Sequence, residues 1–245
     1  MKSQLSLLHE FEDALKDYQI SEPSKRILKQ TNLVLLVAAT SGGRNTIIRE
    51  LMKTGEYHFI VSDTTREPRI NEGVLEKNGE LYWFRTEKEV LEDIKKGKYL
   101  EAEIIHNQQV SGISIRELEQ SWKEQKIAIT DVDIGGARNI IRDKPDVSII
   151  LVLPPGFEEW QRRLKHRGHM SEEELRRRLQ TACTIFTAAL EDDHYIFVIN
   201  DKLHEATAQI HKAARFGEVE PEEQARGRQL AEQLYIATKA YLENT

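Results

Sequence analysis

One cysteine, Cys183, is all that 245 residues contain, so neither an internal disulfide nor a cysteine-based metal cluster is available. No apolar run approaches the roughly 20 residues needed to cross a bilayer, which argues against a transmembrane helix. The opening stretch, MKSQLSLLHEFEDALKDY, sets acids inside its apolar pattern and lacks the form of a secretory signal; a cytoplasmic protein with no membrane partner is expected. Positive charge is also short, at a net -6, which argues against a general nucleic-acid binder while leaving local basic pockets open. Internal repeats and low-complexity segments are missing too. What is present, 39% hydrophobic and 31% charged residues, suits a globular protein that buries a full core as one domain with appendages.

Leu5, Leu8, Phe11, Leu15 and Tyr18 recur at helical spacing, and the spacing predicts an amphipathic helix over 4–19. Ser21-Glu22-Pro23-Ser24 then reads as a break, so residues 1–31 form a helical extension ahead of the main domain. Beyond it, short β-branched runs alternate with helical patterns: LVLLVA (33–38), YHFIVS (57–62), KIAITDVD (126–133), VSIILVLP (147–154) and YIFVIN (195–200). Runs that are apolar on both faces and separated by helices predict an α/β protein with a parallel sheet covered on both sides. A second extension, 213–245, holds a last helix from Glu220 to Glu243, with Leu230, Leu234, Ile236, Ala237 and Leu242 available for burial.

The first strand runs into Ala38-Ala39-Thr40-Ser41-Gly42-Gly43-Arg44-Asn45-Thr46 and then the helical IIRELMKTG. A loop between strand and helix directs backbone N–H groups and the positive helix end at an anion. Further on, Ser62-Asp63-Thr64-Thr65-Arg66-Glu67-Pro68-Arg69-Ile70-Asn71-Glu72 sets two arginines three apart, the second after a proline that keeps the backbone extended. Two guanidinium forks can converge on one phosphate.

This segment resembles the guanylate kinase family, whose monophosphate segment reads S-x-T-T-R-x-P-R-x-G-E; Asn71 stands for the glycine and the other specified positions agree. The resemblance runs over 32–212. It implies a P-loop NTPase-like three-layer fold with a parallel sheet, a small monophosphate-binding region (62–125) and a helical lid (156–182). It also implies ATP with magnesium as donor and GMP as acceptor. Ser62, Arg66, Arg69 and Tyr82, the last in the counterpart of D-Y-x-F, would hold the acceptor phosphate end. Glu101, in YLEAE, would accept from the guanine N–H groups, as a carboxylate suits two adjacent donors. Asp131 and Asp133, in ITDVDIGG, match an acidic pair placed near the guanine, the acceptor and metal-bound water. No direct metal ligand is implied, and hydrated magnesium would lie near Asp131 and Asn45. Arg163, Arg167 and Arg178, in the lid pattern R-L-x-x-R-G followed by R-[LM], would close over the transferring group. Asn200 would lie near the adenine pocket, with Thr40 to Thr46 around the donor phosphates.

Three departures stand out. The family loop G-P-S-G-x-G-K-[GS]-T has become a chain in which Arg44 stands at the lysine and Asn45 follows it, while Thr40 keeps the hydroxyl of the family serine. The family's Y-G-[ST], which supplies a second phosphate tyrosine and a guanine-contacting hydroxyl, has become Ser111-Gly112-Ile113. Both terminal helices are additions that the family core does not need, and they suit packing on the core or a homodimer contact. The expected activity is therefore phosphoryl transfer from ATP to GMP. A catalytically silent module that binds a nucleotide or phosphopeptide, and a kinase with a different acceptor, remain as alternatives.

Overall fold

The computed structural model describes residues 4–71, 73–166 and 170–244. In chain order the elements are α1 (Leu8–Lys16), α2 (Glu22–Gln30), β1 (Leu33–Ala38), α3 (Arg44–Met52), β2 (Tyr57–Phe59), β3 (Ser62–Thr64), β4 (Ile70–Asn71) and β5 (Val74–Leu75). Next come β6 (Tyr82–Phe84), α4 (Glu87–Lys95), β7 (Tyr99–Ile105), β8 (Gln109–Ser114), α5 (Ile115–Lys123), β9 (Ile127–Asp131) and α6 (Ile134–Asp143). The chain ends through β10 (Ser148–Leu153), α7 (Phe157–His166), α8 (Glu172–Leu190), β11 (Tyr195–Ile199), α9 (Leu203–Phe216) and α10 (Pro221–Asn244). Contacts divide it into two compact units. One comprises Met1–Asn32, His58–Ala128 and Asn139–Pro145; the other comprises Leu33–Tyr57, Ile129–Arg138 and Asp146–Thr245.

The second unit is built on a sheet with strand order β11-β10-β1-β9-β2. Its β1, β10 and β11 run parallel, with Val34 opposite Ser148 and Ile149 opposite Tyr195. Leu33 to Val37 and Ile149 to Leu153 are fully buried, because α3, α8, α9 and α10 pack on the strands. Burial on both faces is the reason these strands read as continuous apolar runs. The last helix, packed on α8 and β11, buries Gly227, Ala231, Leu234 and Thr238, while Ile236 is 64% exposed. Steps of four, three and four residues put that set on one face, and Ile236 falls off it. A Cβ on Gly227 would lie 2.6 Å from Phe197 Cβ, so the helix approaches β11 as closely as a glycine allows. Gln224 beside it accepts from Phe197 N–H at 3.0 Å and donates to the Tyr195 carbonyl at 2.8 Å, covering the exposed edge of β11.

The first unit holds a second sheet, order β6-β3-β8-β7, in which β3 pairs parallel with β6 and antiparallel with β8, and β7 pairs antiparallel with β8. The run YHFIVS, expected as one strand, is therefore two: β2 ends at Phe59 and β3 begins at Ser62 in the other sheet. The expected break at Ser21 to Ser24 is also a helix start. Ser21 accepts from Ser24 N–H, and Pro23 sits in the first turn, where its missing N–H costs nothing. The extension thus contains two helices, α1 packed on α4 and β7, α2 packed on α5. Phe11 and Leu5 join Val90, Ile94, Tyr99 and Val110 in one apolar cluster. Of the tryptophans, Trp160 is buried, whereas Trp122 is 43% exposed.

Candidate active site

In the parallel-sheet unit the chain leaves β1 through a loop whose conformation its residues dictate. Ser41 takes φ 65° and Gly43 φ 101°, both left-handed, and only at Gly43 is that region free of a side-chain penalty. Asn200 fills the space above: its Nδ2 donates to the Gly42 carbonyl at 3.0 Å, and a Cβ on Gly43 would come within 1.9 Å of that nitrogen. Trp160 Nε1 donates to the Thr40 carbonyl at 2.7 Å. The Gly43 carbonyl then accepts from Thr46 and Ile47 N–H, which starts α3. The loop borders a cleft of about 620 Å³ lined by residues 38–46 with Arg49, Arg163, Asn200, Asp201 and Leu203.

Arg44 does not point into solvent. Its guanidinium donates to Asp131 at 2.6 Å, with both side chains roughly a third exposed or less. Among the described residues, Arg44 Nε and Ser41 Oγ are buried without a hydrogen-bond partner. Such orphaned polar atoms are costly and uncommon, and at a loop of this shape they match the oxygens of an anion. Asp133, the other acid of the expected pair, accepts from Gly136 N–H at 2.8 Å, the geometry of a helix N-cap at the start of α6. Arg163 holds Glu159 at 2.8 Å and the Asn200 carbonyl at 3.1 Å, which brings it to the cleft. Arg178 is occupied by Glu174 one turn earlier on α8 and does not line that cleft. Arg167 lies outside the described residues.

For a divalent ion the donor set is sparse. Among the described residues no three His, Cys, Asp or Glu side chains gather to hold a metal. Asp131 is closed by Arg44, and Asn45 and Thr46 are exposed. Neutral oxygens and one shared carboxylate suit a hydrated magnesium ion held through phosphate oxygens, not an all-protein cage.

The mixed-sheet unit gathers the other expected residues by register. Tyr82 pairs with Ser62, Asp63 pairs with Gly112, and Glu101 pairs with Ile113. One further step of the β3–β8 ladder sets Ser62 beside Ile113, so Tyr82, Ser62, Ile113 and Glu101 form a row across one face. Three strand spacings separate its ends, about 14 Å. The next row on that face holds Phe84, Thr64 and Ser111, and the Ser111 hydroxyl donates to Thr64 at 3.0 Å. Arg66 lies over the Tyr82 and Phe84 rings, 4.8 and 5.3 Å from their centroids. Its two terminal nitrogens are forked onto Glu76 at 2.5 and 3.0 Å. Arg69 N–H donates to the same carboxylate at 2.9 Å while the Arg69 side chain is exposed. Glu76 is the acid that sequence reasoning missed. It lies in the long loop GVLEKNGE, beyond the β4–β5 hairpin, and Glu72, aligned to the family glutamate, lies outside the described residues.

The opposite face carries a second unforeseen centre. Asp63, 1% exposed, accepts from Tyr99 Oη at 2.6 Å, from Arg116 at 2.7 Å and from Arg85 at 3.2 Å. Burial, with Asp63 adding to it, pushes the Tyr99 phenol well above its usual range, so it stays a donor. These contacts tie β3, β7, α5 and the start of α4 together under the row that carries Ser62 and Glu101. An acid between a serine and a threonine gave no signal of this, because its partners come from far along the chain.

The family model described as guanylate kinase matches residues 30–215. The guanylate kinase of Corynebacterium jeikeium is 34% identical over 190 residues, covering 77% of this chain and 98% of that protein. That of Trichormus variabilis is 35% identical over 187 residues, covering 76% and 89%. Guanylate kinase 1 of Oryza sativa is 35% identical over 162 residues, and the match spans only 41% of that longer protein. Among solved structures, a guanylate kinase from Anaplasma phagocytophilum shares the fold, with a TM-score of 0.53 at 22% identity over 89% of this chain and 96% of that one.

Proposed function

Because the chain belongs to the guanylate kinase family, we propose that it moves the γ-phosphoryl group of ATP onto GMP, giving ADP and GDP. The observation that carries the reading is the cross-strand row of Tyr82, Ser62 and Glu101 with Arg66 stacked at its Tyr82 end. It offers cationic charge for a phosphate at one end and a carboxylate for N–H donors at the other. In the reaction an oxygen of the GMP phosphate attacks the γ-phosphorus, and the bond to the β-bridging oxygen breaks. The protein's share is positioning and charge stabilisation. Loop N–H groups, Ser41 Oγ and Arg44 would hold the donor phosphates. Arg163 would meet charge on the transferring group, joined by Arg167 and Arg178 once the latter lets go of Glu174. Glu76 would yield Arg66, or share it, when the acceptor phosphate arrives. Magnesium, when bound through the donor phosphates, supplies further neutralisation of their charge, with Asp131 and Asn45 the groups suited to its waters.

A second reading, a silent module that binds a nucleotide or phosphopeptide, draws on one observation: Arg44 is closed onto Asp131 where the family has a lysine. Assaying ADP formation with ATP and a panel of monophosphates separates the two. GMP-dependent turnover is expected, retained by Arg44→Lys and reduced at least a hundredfold by Arg44→Ala, about 3 kcal/mol of transition-state stabilisation. No ADP from any monophosphate, together with GMP binding and no ATP binding, would establish the silent module instead.

A further inference from the structure

β7, which carries Glu101, is an edge strand of the mixed sheet. Edge strands leave N–H and C=O groups open to other chains. Here the Tyr18 hydroxyl takes both groups of Tyr99, donating to its carbonyl at 2.6 Å and accepting from its N–H at 2.8 Å. Burial pushes the Tyr18 phenol up to about 12, so it keeps the proton it donates. The rest of the extension follows the same hairpin. Leu5 N–H donates to the Asn107 carbonyl at 2.9 Å, and the Gly97 carbonyl accepts from Ser21 N–H at 3.0 Å and from Ser24 Oγ at 2.7 Å. A Cβ on Gly97 would lie 2.5 Å from Ser21 N, so the backbone there admits the extension only as glycine. The segment before Ser21 is therefore held at both ends beside the hairpin, by Asn107 and Gly97, and through Tyr18 on β7 itself.

Next to that contact is a cavity of about 560 Å³, lined by Glu101, by Asp17 and Gln19 of the extension, and by Asn139 and Arg142 of α6. Its volume lies within the range of small-molecule sites, about 300–1,000 Å³. Glu101 can accept from the ring N–H and amino group of guanine, but the exocyclic oxygen of that base needs a donor. Within the row, the neighbour of Glu101 is Ile113, buried and apolar, and the Ser111 hydroxyl donates to Thr64. The strands themselves thus offer that oxygen no hydroxyl beside Glu101.

We infer that the N-terminal extension is the base-specificity element of the acceptor site: the side-chain amides of Gln19 and Asn139 complete, at the cavity beside Glu101, the recognition of guanine that Glu101 begins. The inference rests on the proposed use of GMP as acceptor. Amides both donate and accept, so they can serve a carbonyl next to N–H groups. Adenine turns an unprotonated ring nitrogen toward Glu101, where the carboxylate repels it, so its amino group is not brought to the amides even though their oxygens could accept from it.

The test is calorimetric titration of the full-length protein with GMP and with AMP, without ATP, for the parent, Gln19→Ala and Asn139→Ala. Both side chains are exposed at the cavity rim, so thermal stability should hold. GMP affinity should fall about tenfold in each variant, the effect of one lost hydrogen bond, with AMP affinity unmoved, so that the GMP-to-AMP ratio narrows. Unchanged GMP affinity, or equal losses for both nucleotides, would overturn the inference, as would a parent that binds no GMP. A narrowed ratio in a protein that forms no ADP keeps the inference and removes the kinase reading. Brisk GMP-dependent turnover with an unmoved ratio does the reverse.

Discussion

At the donor loop, Ser41 Oγ and Arg44 Nε are buried without partners among the described residues, whereas on the mixed sheet Arg66 already grips Glu76 with two nitrogens and Asp63 holds three donors. Both regions are candidates for binding phosphate. The loop gains hydrogen bonds from an incoming anion, and has only the Arg44–Asp131 pair to rearrange. On the sheet an incoming phosphate meets an arginine that a carboxylate has preorganised, and must compete for it. Preorganisation spares the ordering cost of binding, but the carboxylate that provides it must be displaced, which offsets the gain in affinity. The donor side should therefore respond to ligand chiefly in stability, and the acceptor side chiefly in selectivity.

The largest effect expected from breaking this contrast is on the satisfied side. Asp63→Ala leaves Arg85, Arg116 and the Tyr99 hydroxyl without their shared acceptor in the interior of the mixed-sheet unit. Removing one partner of a buried ion pair costs about 3–5 kcal/mol, and the partial exposure of Arg116 points to the lower end. Urea unfolding followed by circular dichroism measures it. A loss under about 1 kcal/mol would show that the network is dispensable. Next in size is Gly43→Ala on the unsatisfied side. The new Cβ would press on Asn200 Nδ2 in a left-handed conformation that L residues avoid, a strain of about 1–3 kcal/mol. The expected outcome is a protein that still binds GMP but is no longer stabilised by ATP in thermal melts. Retention of the full ATP shift would mean that the loop geometry is not the donor site.

How much of this was legible beforehand follows the physics of each element. β1, β9, β10 and β11 were found within a residue or two because strands buried on both faces must be apolar throughout. The mixed sheet was not, since β7 and β8, YLEAEII and QVSGIS, blend polar and apolar residues on a surface that ligand or solvent meets. Resemblance named Tyr82, Ser62 and Glu101, but only register could show that they share a row. Glu76 and Asp63 were silent because a carboxylate's significance lies in which guanidinium reaches it, and Arg116 is 53 residues from Asp63. The terminal helices were legible as amphipathic segments. A device common to the two terminal extensions, one polar side chain covering the backbone of a sheet edge, Tyr18 after α1 on β7 and Gln224 of α10 on β11, has no signature in spacing.

The smallest expected effect concerns how the mixed-sheet unit is held together across pH. His58 lies 3.5 Å from Glu117 through Nε2 and 3.5 Å from Glu124 through Nδ1. Glu117 is buried and also accepts from Val61 N–H at 3.1 Å and Trp83 Nε1 at 3.0 Å. The Glu117 carboxylate raises the imidazole's pKa against the opposing pull of burial, with Glu124 adding to the rise. Burial alone would raise Glu117, but His58 and the Val61 N–H outweigh it and hold it below the usual carboxylate range. The folded state thus favours the imidazolium more than the unfolded chain does. Its contribution is complete below the ordinary histidine value of about 6.5 and is lost as pH rises through the raised folded value. The Glu117 contribution has the opposite sense, present above about 4.3 and lost as pH falls. Stability of this unit should accordingly decline on the alkaline side of neutrality, by about 1 kcal/mol or less because the imidazole makes only long, 3.5 Å contacts with the two acids. Urea midpoints at mildly acidic and mildly alkaline pH should differ in the parent and converge in His58→Gln, whose amide carries no titrating charge. An identical decline in both proteins would assign the pH dependence to other groups and leave His58 a neutral packing residue between two acids.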